Sequence, residues 1–285
     1  MELTLPVTFA VLGAALLHAS WNAMIKAGRD PLFDTALVAL AGTVVALPLT
    51  LFVEPPDRAA WPYILATVVV HIGYYVAMAA AYRVGDLSLG YPIMRGVAPL
   101  LVALASSLWF AEALTPGAWV GVLLICGGVI SLAFVARRKS LSLGKSSTAA
   151  MLWALAGAVI VATYTLIDAA GVRSSGGTER YVVWLFVFIG LPFGLFVLAT
   201  RRGAFLRHAS QFWWRGIAGA AMSGLSYGIA LWAMTRAPVA IVAALRETSV
   251  IFAALLGAWL LKEGHVRERL VGAAAVLAGL VALRL

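Results

Sequence analysis

YPIMRGVAPLL at residues 91–101 and VAALRETSVIF at 242–252 each place one arginine, Arg95 and Arg246, inside a long apolar run. The arginines lie 151 residues apart, and their surroundings keep step: at the same spacing Glu112 answers Glu263, Gly121 answers Gly272 and Gly128 answers Gly279. Aligned without gaps, 88–132 and 239–283 share eight identities. Apolar matches are cheap in so apolar a chain, so the Arg, Glu and two Gly matches carry the weight. The chain reads as a tandem duplication of a membrane unit. Each copy keeps a cation where cations are expensive, and such a charge as a rule serves a pathway, a relay or a ligand.

Of 285 residues, 63% are hydrophobic and 12% charged, against about 25% charged in soluble domains. A soluble fold is excluded. A span needs about 20 apolar residues, and runs of that kind fall at 6–26, 33–53, 61–82, 88–110, 116–136, 149–170, 181–200, 214–235, 238–261 and 268–284. The expected fold is an all-α integral membrane protein of ten transmembrane helices, built as two five-helix repeats. The repeats cover 1–136 and 149–285, with a basic linker at 137–148. An odd number of spans returns the second copy upside down. Inverted repeats place a substrate site near the midplane at their interface and permit alternating access. The polar stretches Arg137–Ser147, Arg173–Arg180 and Arg201–Gln211 read as loops.

A net charge of +9 and a pI near 10.1 would suggest nucleic acid for a soluble protein. Here the positive-inside bias accounts for it better, so no nucleic-acid partner is expected. Fourteen Lys and Arg fall in the connections after spans 1, 3, 5, 7 and 9, and five on the other side. That places the first set in the cytoplasm and both termini outside. Cys126, the sole cysteine, allows no internal disulfide. The first span follows no basic region and reads as retained.

The candidate substrate-binding residues begin with Arg95 and Arg246, each near the middle of its span. One cation near each mouth of a central cavity would meet an anionic substrate in either access state. A clamp on helix-end carbonyls or on a carboxylate is the structural alternative. Glu247 follows Arg246 directly, and neighbours on a helix diverge by about 100°, so the two cannot pair face to face. Glu247 must look to a hydroxyl, to Arg95 or into the cavity. Desolvation penalises a buried carboxylate's charged form, which makes Asp168 and Glu247 the candidate proton-coupling groups. Span 1 carries His18, Asn22 and Lys26 on one face beside Trp21. Span 3 has His71, Tyr74 and Tyr75, span 6 Tyr164 near Asp168, and span 8 Ser223 with Tyr227. From these His18, Trp21, Asn22, Tyr75, Tyr164 and Tyr227 join the arginines as the expected cavity wall. Glu112 and Glu263 end their spans, where a carboxylate caps the following helix.

Enzyme signatures are weak. Gly224-Leu225-Ser226-Tyr227-Gly228 has the G-x-S-x-G spacing but lies inside an apolar run rather than a strand-to-helix turn. The four histidines lack metal-ligand spacing, and no phosphate-binding loop is present. No enzyme activity, metal or cofactor is expected.

The spans ending in Leu108-Trp109-Phe110-Ala111-Glu112 and Leu260-Leu261-Lys262-Glu263, each followed by Gly-x6-Gly, resemble the drug/metabolite transporter superfamily, closest to its EamA-type branch. His18-Ala19-Ser20-Trp21-Asn22 with Lys26 is similar to that family's opening. The resemblance implies a multi-pass secondary transporter of the plasma (inner) membrane. Relatives move amino acids, sugars, nucleotide sugars, phosphorylated sugars or drugs. Tyr91-Pro92-Ile93-Met94-Arg95-Gly96 is also similar to members linked with phosphonate use. Eukaryotic relatives keep both termini in the cytosol, opposite to the charge count, so orientation stays open. The expected function is proton-coupled or exchange transport of small polar metabolites such as amino acids, organic acids or phosphonates. The expected partners are that substrate and the lipid bilayer, with monomer and homodimer both open. A multidrug exporter of lipophilic cations, or a non-transporting scaffold or scramblase, is the alternative.

Overall fold

Prolines and short polar residues set the helix starts. Pro31 begins α2 (Pro31–Leu49), and the Asp30 side chain caps it by accepting from the Leu32 and Phe33 amides at 3.0 and 3.1 Å. Pro116 begins α5 (Pro116–Ser142), where Thr115 Oγ1 accepts from the Ala118 amide at 3.1 Å. Both prolines stand where a helix has no use for an amide N–H. The other elements are α1 (Leu5–Lys26), a 3₁₀ turn (Arg58–Ala60), α3 (Trp61–Val84), α4 (Leu87–Trp109) and α6 (Thr148–Arg173). After them come α7 (Thr178–Ile189), α8 (Leu191–Met234), α9 (Val239–Arg246) and α10 (Val266–Ala282). The computed structural model describes residues 3–84, 87–142, 148–253, 255 and 266–283. Among these there is no strand, and six helical stretches are long and apolar enough to cross a membrane. The role expected of Glu263 lies outside the described residues.

α5 runs on to Ser142, so 137–142 of the expected linker are helical. Three further elements differ from the sequence reading. The run expected to span 181–200 is broken at Gly190, whose backbone meets the Ala39 carbonyl of α2 too closely for any side chain. The stretch 201–211 is helical rather than a loop. α8 has 44 residues with non-helical dihedrals at Arg201 and Phe212. At 1.5 Å per residue it would be about 66 Å long, twice the ~30 Å apolar core of a bilayer, and the two breaks divide it. Between them Phe205 is buried and His208 Nε2 lies 2.8 Å from Asp34 Oδ1, while Arg202 and Arg207 face outward. One buried face on a polar segment is the signature of an interfacial helix, which composition alone reads as a loop.

The third difference is at Arg246. The run expected to span 238–261 is interrupted, because α9 ends at Arg246, Glu247 and Thr248 form a turn, and helix resumes at 249–253. The Val250 amide donates to the Glu247 carbonyl at 3.0 Å instead of reaching back to Arg246. In α4 the corresponding position is Pro99, which has no N–H to offer the Arg95 carbonyl four residues earlier. Both arginines therefore sit at a gap in the helical hydrogen-bond ladder.

The two copies interleave. α1 and α2 pack on α8, α3 and α4 on α6, and α5 on α10. The duplicated glycines make the last contact. A Cβ on Gly121 would lie 2.8 Å from the Leu283 amide, one on Gly128 3.0 Å from the Gly272 carbonyl, and one on Gly279 2.8 Å from the Gly121 carbonyl. The contact is reciprocal, since each glycine meets the counterpart of the other. In an apolar environment close backbone approach supplies the contact energy that hydrophobicity cannot.

Candidate functional site

A cavity of about 190 Å³ lies among α1, α2, α3, α4, α6, α7, α8 and the end of α9. All eight residues expected on its wall are there: His18, Trp21 and Asn22 from α1, Tyr75 from α3, Arg95 from α4, Tyr164 from α6, Tyr227 from α8 and Arg246 from α9. Asp168 and Glu247 stand behind the wall rather than on it. His71, Tyr74 and Ser223 also line the cavity, on the stripes already visible in spans 3 and 8, as do Thr35, Met94 and Phe186. Met94 and Phe186 are apolar and Thr35 is an isolated hydroxyl, so no polar stripe could have singled these three out. The aromatic wall is internally packed, with His71 and Tyr164 rings 4.4 Å apart and Tyr75 stacked on Phe193 at 4.2 Å.

The two arginines have different partners. Arg95 is buried, its Nε 2.9 Å from Glu247 Oε2, and its guanidinium donates to Ser249 Oγ at 3.1 Å. Glu247 thus turns away from its neighbour Arg246 and neutralises the arginine of the other copy. Arg246 lies over the Tyr227 ring at 5.3 Å, and among the described residues it has no carboxylate at ion-pair distance. The duplication explains the asymmetry. In the register that matches Arg95 to Arg246, the counterpart of Glu247 is Gly96. A Cβ at Gly96 would lie 2.5 Å from Ile130 Cγ1 and 3.0 Å from the Cys126 carbonyl, so α5 leaves no room there for a second glutamate.

Asp168 is fully buried and held by three hydroxyls. Thr67 and Tyr181 donate to Oδ1 at 2.6 and 2.7 Å, and Tyr227 donates to Oδ2. One carboxylate therefore ties α3, α7 and α8 to α6. Tyr227 serves two groups, its hydroxyl directed to Asp168 and its face to Arg246. Thr67 and Tyr181 are partners of Asp168 that the sequence reading did not identify. Thr67 stands one turn before His71, on the stripe already noted.

Glu112 caps a helix, but not the following one. Its Oε2 accepts from the Val239 amide at the start of α9, 127 residues away, at 2.8 Å. The amide end of α5 is already served by Thr115. Ala111, in the left-handed region at φ 50°, reverses the chain just before Glu112. Glu112 Oε1 meets Arg173 at 2.6 Å, and Arg173 also donates to the Met234 carbonyl and lies over Phe110. Arg173 is thus a tie between copies, where charge counting saw only a loop cation.

The arrangement is an aromatic-walled chamber with one arginine paired to Glu247 and one, Arg246, without a carboxylate at ion-pair distance among the described residues. The model of the EamA-like transporter family matches residues 5–134 and again residues 148–285. The chain belongs to the EamA-like transporter family. It is accordingly an integral multi-pass membrane protein, and the family is one of transporters of the drug/metabolite type rather than of enzymes. Twenty-nine solved chains match its fold. One, described only as a crystal structure of a protein, shares 18% identity at a TM-score of 0.70, over 97% of this chain and 94% of that one. At that identity the likeness concerns the fold alone. No curated protein matches this EamA-like transporter in sequence.

Proposed function

We propose that this EamA-like transporter is a ten-span, inverted-repeat secondary transporter of the plasma (inner) membrane. It moves small polar metabolites that carry an anionic group, such as amino acids, organic acids or phosphonates, by alternating access with proton coupling or exchange. The observation that carries this reading is Arg246, a cation on the wall of an aromatic cavity with no carboxylate at ion-pair distance among the described residues. A cation held in lipid without such a partner is costly unless a ligand supplies the negative charge. Arg246 is the proposed anion anchor. Arg95, His18, Trp21, Asn22, Tyr75, Tyr164 and Tyr227 complete the substrate wall, with Asp168 and Glu247 as the carboxylates available for protons. Size supports the same class. A 190 Å³ cavity is only slightly larger than one of about 150 Å³ that holds benzene, which suits an amino acid better than a bulky drug.

A lipophilic-cation exporter would need an acidic group facing the cavity. Here Glu247 is taken up by Arg95 and Asp168 by three hydroxyls, both behind the wall. A scaffold or scramblase would have no use for a cation-bearing chamber between helices.

The test is thermal unfolding of the purified protein against L-alanine, L-aspartate, methylphosphonate and a lipophilic cation. A ligand at 100 times its Kd stabilises by about 2.7 kcal/mol. The expected result is a shift with one of the first three that Arg246→Ala cancels, followed by uptake of that compound in liposomes. A shift with the lipophilic cation alone replaces the proposal with the multidrug reading. Binding without uptake refutes transport.

A further inference from the structure

We propose that Glu247 is the proton site of this transporter among the described residues, and that a proton on Glu247 and a substrate anion held by Arg246 and reaching Arg95 bind together. The proposal rests on the anion reading above and adds its coupling, with a stoichiometry of one proton per anion.

The geometry that carries it is the position of the pair relative to the cavity. Both are buried, Arg95 at 6% and Glu247 at 4% exposure, but Arg95 lines the cavity whereas Glu247 stands behind it with Arg95 as its ion-pair partner at 2.9 Å. An anion that takes the Arg95 guanidinium leaves Glu247 as a buried carboxylate without its counter-charge, which is the costly way to break a buried pair. A proton from the aqueous phase onto a Glu247 carboxylate oxygen removes that charge. The guanidinium, still held by Ser249 Oγ at 3.1 Å, then exchanges the Glu247 carboxylate for the substrate anion. Proton and anion therefore assist one another's binding and move in the same direction.

The surroundings of Glu247 assign the proton to it. The titratable and charged groups that interact with it are Arg95 on α4, Cys126 on α5, Tyr164 on α6, and Arg246 at the end of its own helix. Asp168 already has three hydroxyl donors, two of them, Thr67 and Tyr181, away from the cavity wall, and no cation at ion-pair distance among the described residues for an anion to take from it. The duplication supplies no second copy of this site, because the position equivalent to Glu247 is Gly96, closed by the packing of α5. Glu247 also lies in the turn that interrupts the helix, so its carboxylate can shift without bending a continuous ladder.

Two measurements test this. The first is ligand-free: infrared spectra of the wild type and Glu247→Gln across acid to alkaline pH. The expected result is a protonated-carboxyl band that titrates in the wild type and is missing from the variant. If no titrating band is lost in Glu247→Gln, the proposal fails whatever the substrate is. The second is the affinity of L-aspartate, methylphosphonate and L-alanine against pH. For one linked proton the affinity rises as pH falls, at most about tenfold per pH unit, and Glu247→Gln binds with no pH slope. A wild-type affinity flat in pH, or a slope kept by Glu247→Gln, overturns the coupling while leaving the anion reading intact. If none of the three probes binds at any pH, the anion reading and the coupling that rests on it both fail, and the infrared result alone reports on Glu247.

Discussion

Glu112 and Arg173 meet at 2.6 Å across 61 residues of chain, joining the end of α4 in the first copy to the end of α6 in the second. Each also binds backbone: Glu112 accepts from the Val239 amide and Arg173 donates to the Met234 carbonyl at 2.9 and 2.7 Å. The pair thus closes off both ends of the α8–α9 connection. Removing either partner leaves a partly buried charge and an unmatched backbone group. Arg173→Gln and Glu112→Gln should each lower stability by about 1.5–3 kcal/mol, read as a loss of Tm in detergent. The charge swap Glu112→Arg with Arg173→Glu should not restore it, because the amide then faces a donor and the carbonyl an acceptor. Full rescue by the swap would show that the ion pair alone matters.

The two cavity arginines should differ in phenotype. Arg95→Ala leaves Glu247 buried without its partner and should cost about 3–5 kcal/mol. Adding Glu247→Gln removes the stranded charge and should recover most of that loss. Arg246→Ala breaks no ion pair among the described residues and should fold normally while losing ligand-induced stabilisation. Thermal melts of the three variants with and without ligand decide this, and equal destabilisation by the two alanine variants would contradict it.

Asp168 separates a structural from a coupling role. In Asp168→Ala the Thr67, Tyr181 and Tyr227 hydroxyls lose their common acceptor, at an expected cost of at least about 2–3 kcal/mol. Asp168→Asn keeps the oxygen shared by Thr67 and Tyr181, and its amide can donate to the Tyr227 oxygen, so it should melt near the wild type. Uptake driven by a pH gradient should survive in Asp168→Asn. Its loss in a well-folded protein would move the proton site from Glu247 to Asp168.

The glycine contact between α5 and α10 makes a local contrast. A Cβ at Gly121 or Gly279 would fall 2.8 Å from backbone of the opposing helix, whereas Gly127 and Gly13 have nothing within 4 Å. Gly121→Val should lower stability by about 1–3 kcal/mol through overpacking. Gly127→Ala and Gly13→Ala should be neutral or slightly stabilising, since alanine favours helix over glycine. Circular-dichroism melts are sufficient, and an equal effect at Gly121 and Gly127 would refute the contact.

Much was legible because it is local or periodic. Apolar runs near span length located most helices within a few residues. The register of Arg95, Glu112, Gly121 and Gly128 against their counterparts exposed the duplication, and polar stripes such as His18 with Asn22 or His71 with Tyr75 indicated the cavity wall. Such patterns survive in one dimension because a span must satisfy its own backbone hydrogen bonds in lipid.

What the sequence by itself determined is therefore a duplicated, all-helical membrane chain with two costly cations and the faces that enclose them. Only the tertiary structure decided who partners whom. It gave Glu247 to Arg95 rather than to a hydroxyl, sent Glu112 to the α9 amide and Arg173, surrounded Asp168 with Thr67, Tyr181 and Tyr227, and set Gly121 against the backbone of α10. The physical reason is that a buried polar group must find a partner within about 3 Å. Which residues come that close depends on how helices far apart in the chain pack, and no spacing along a single helix encodes it.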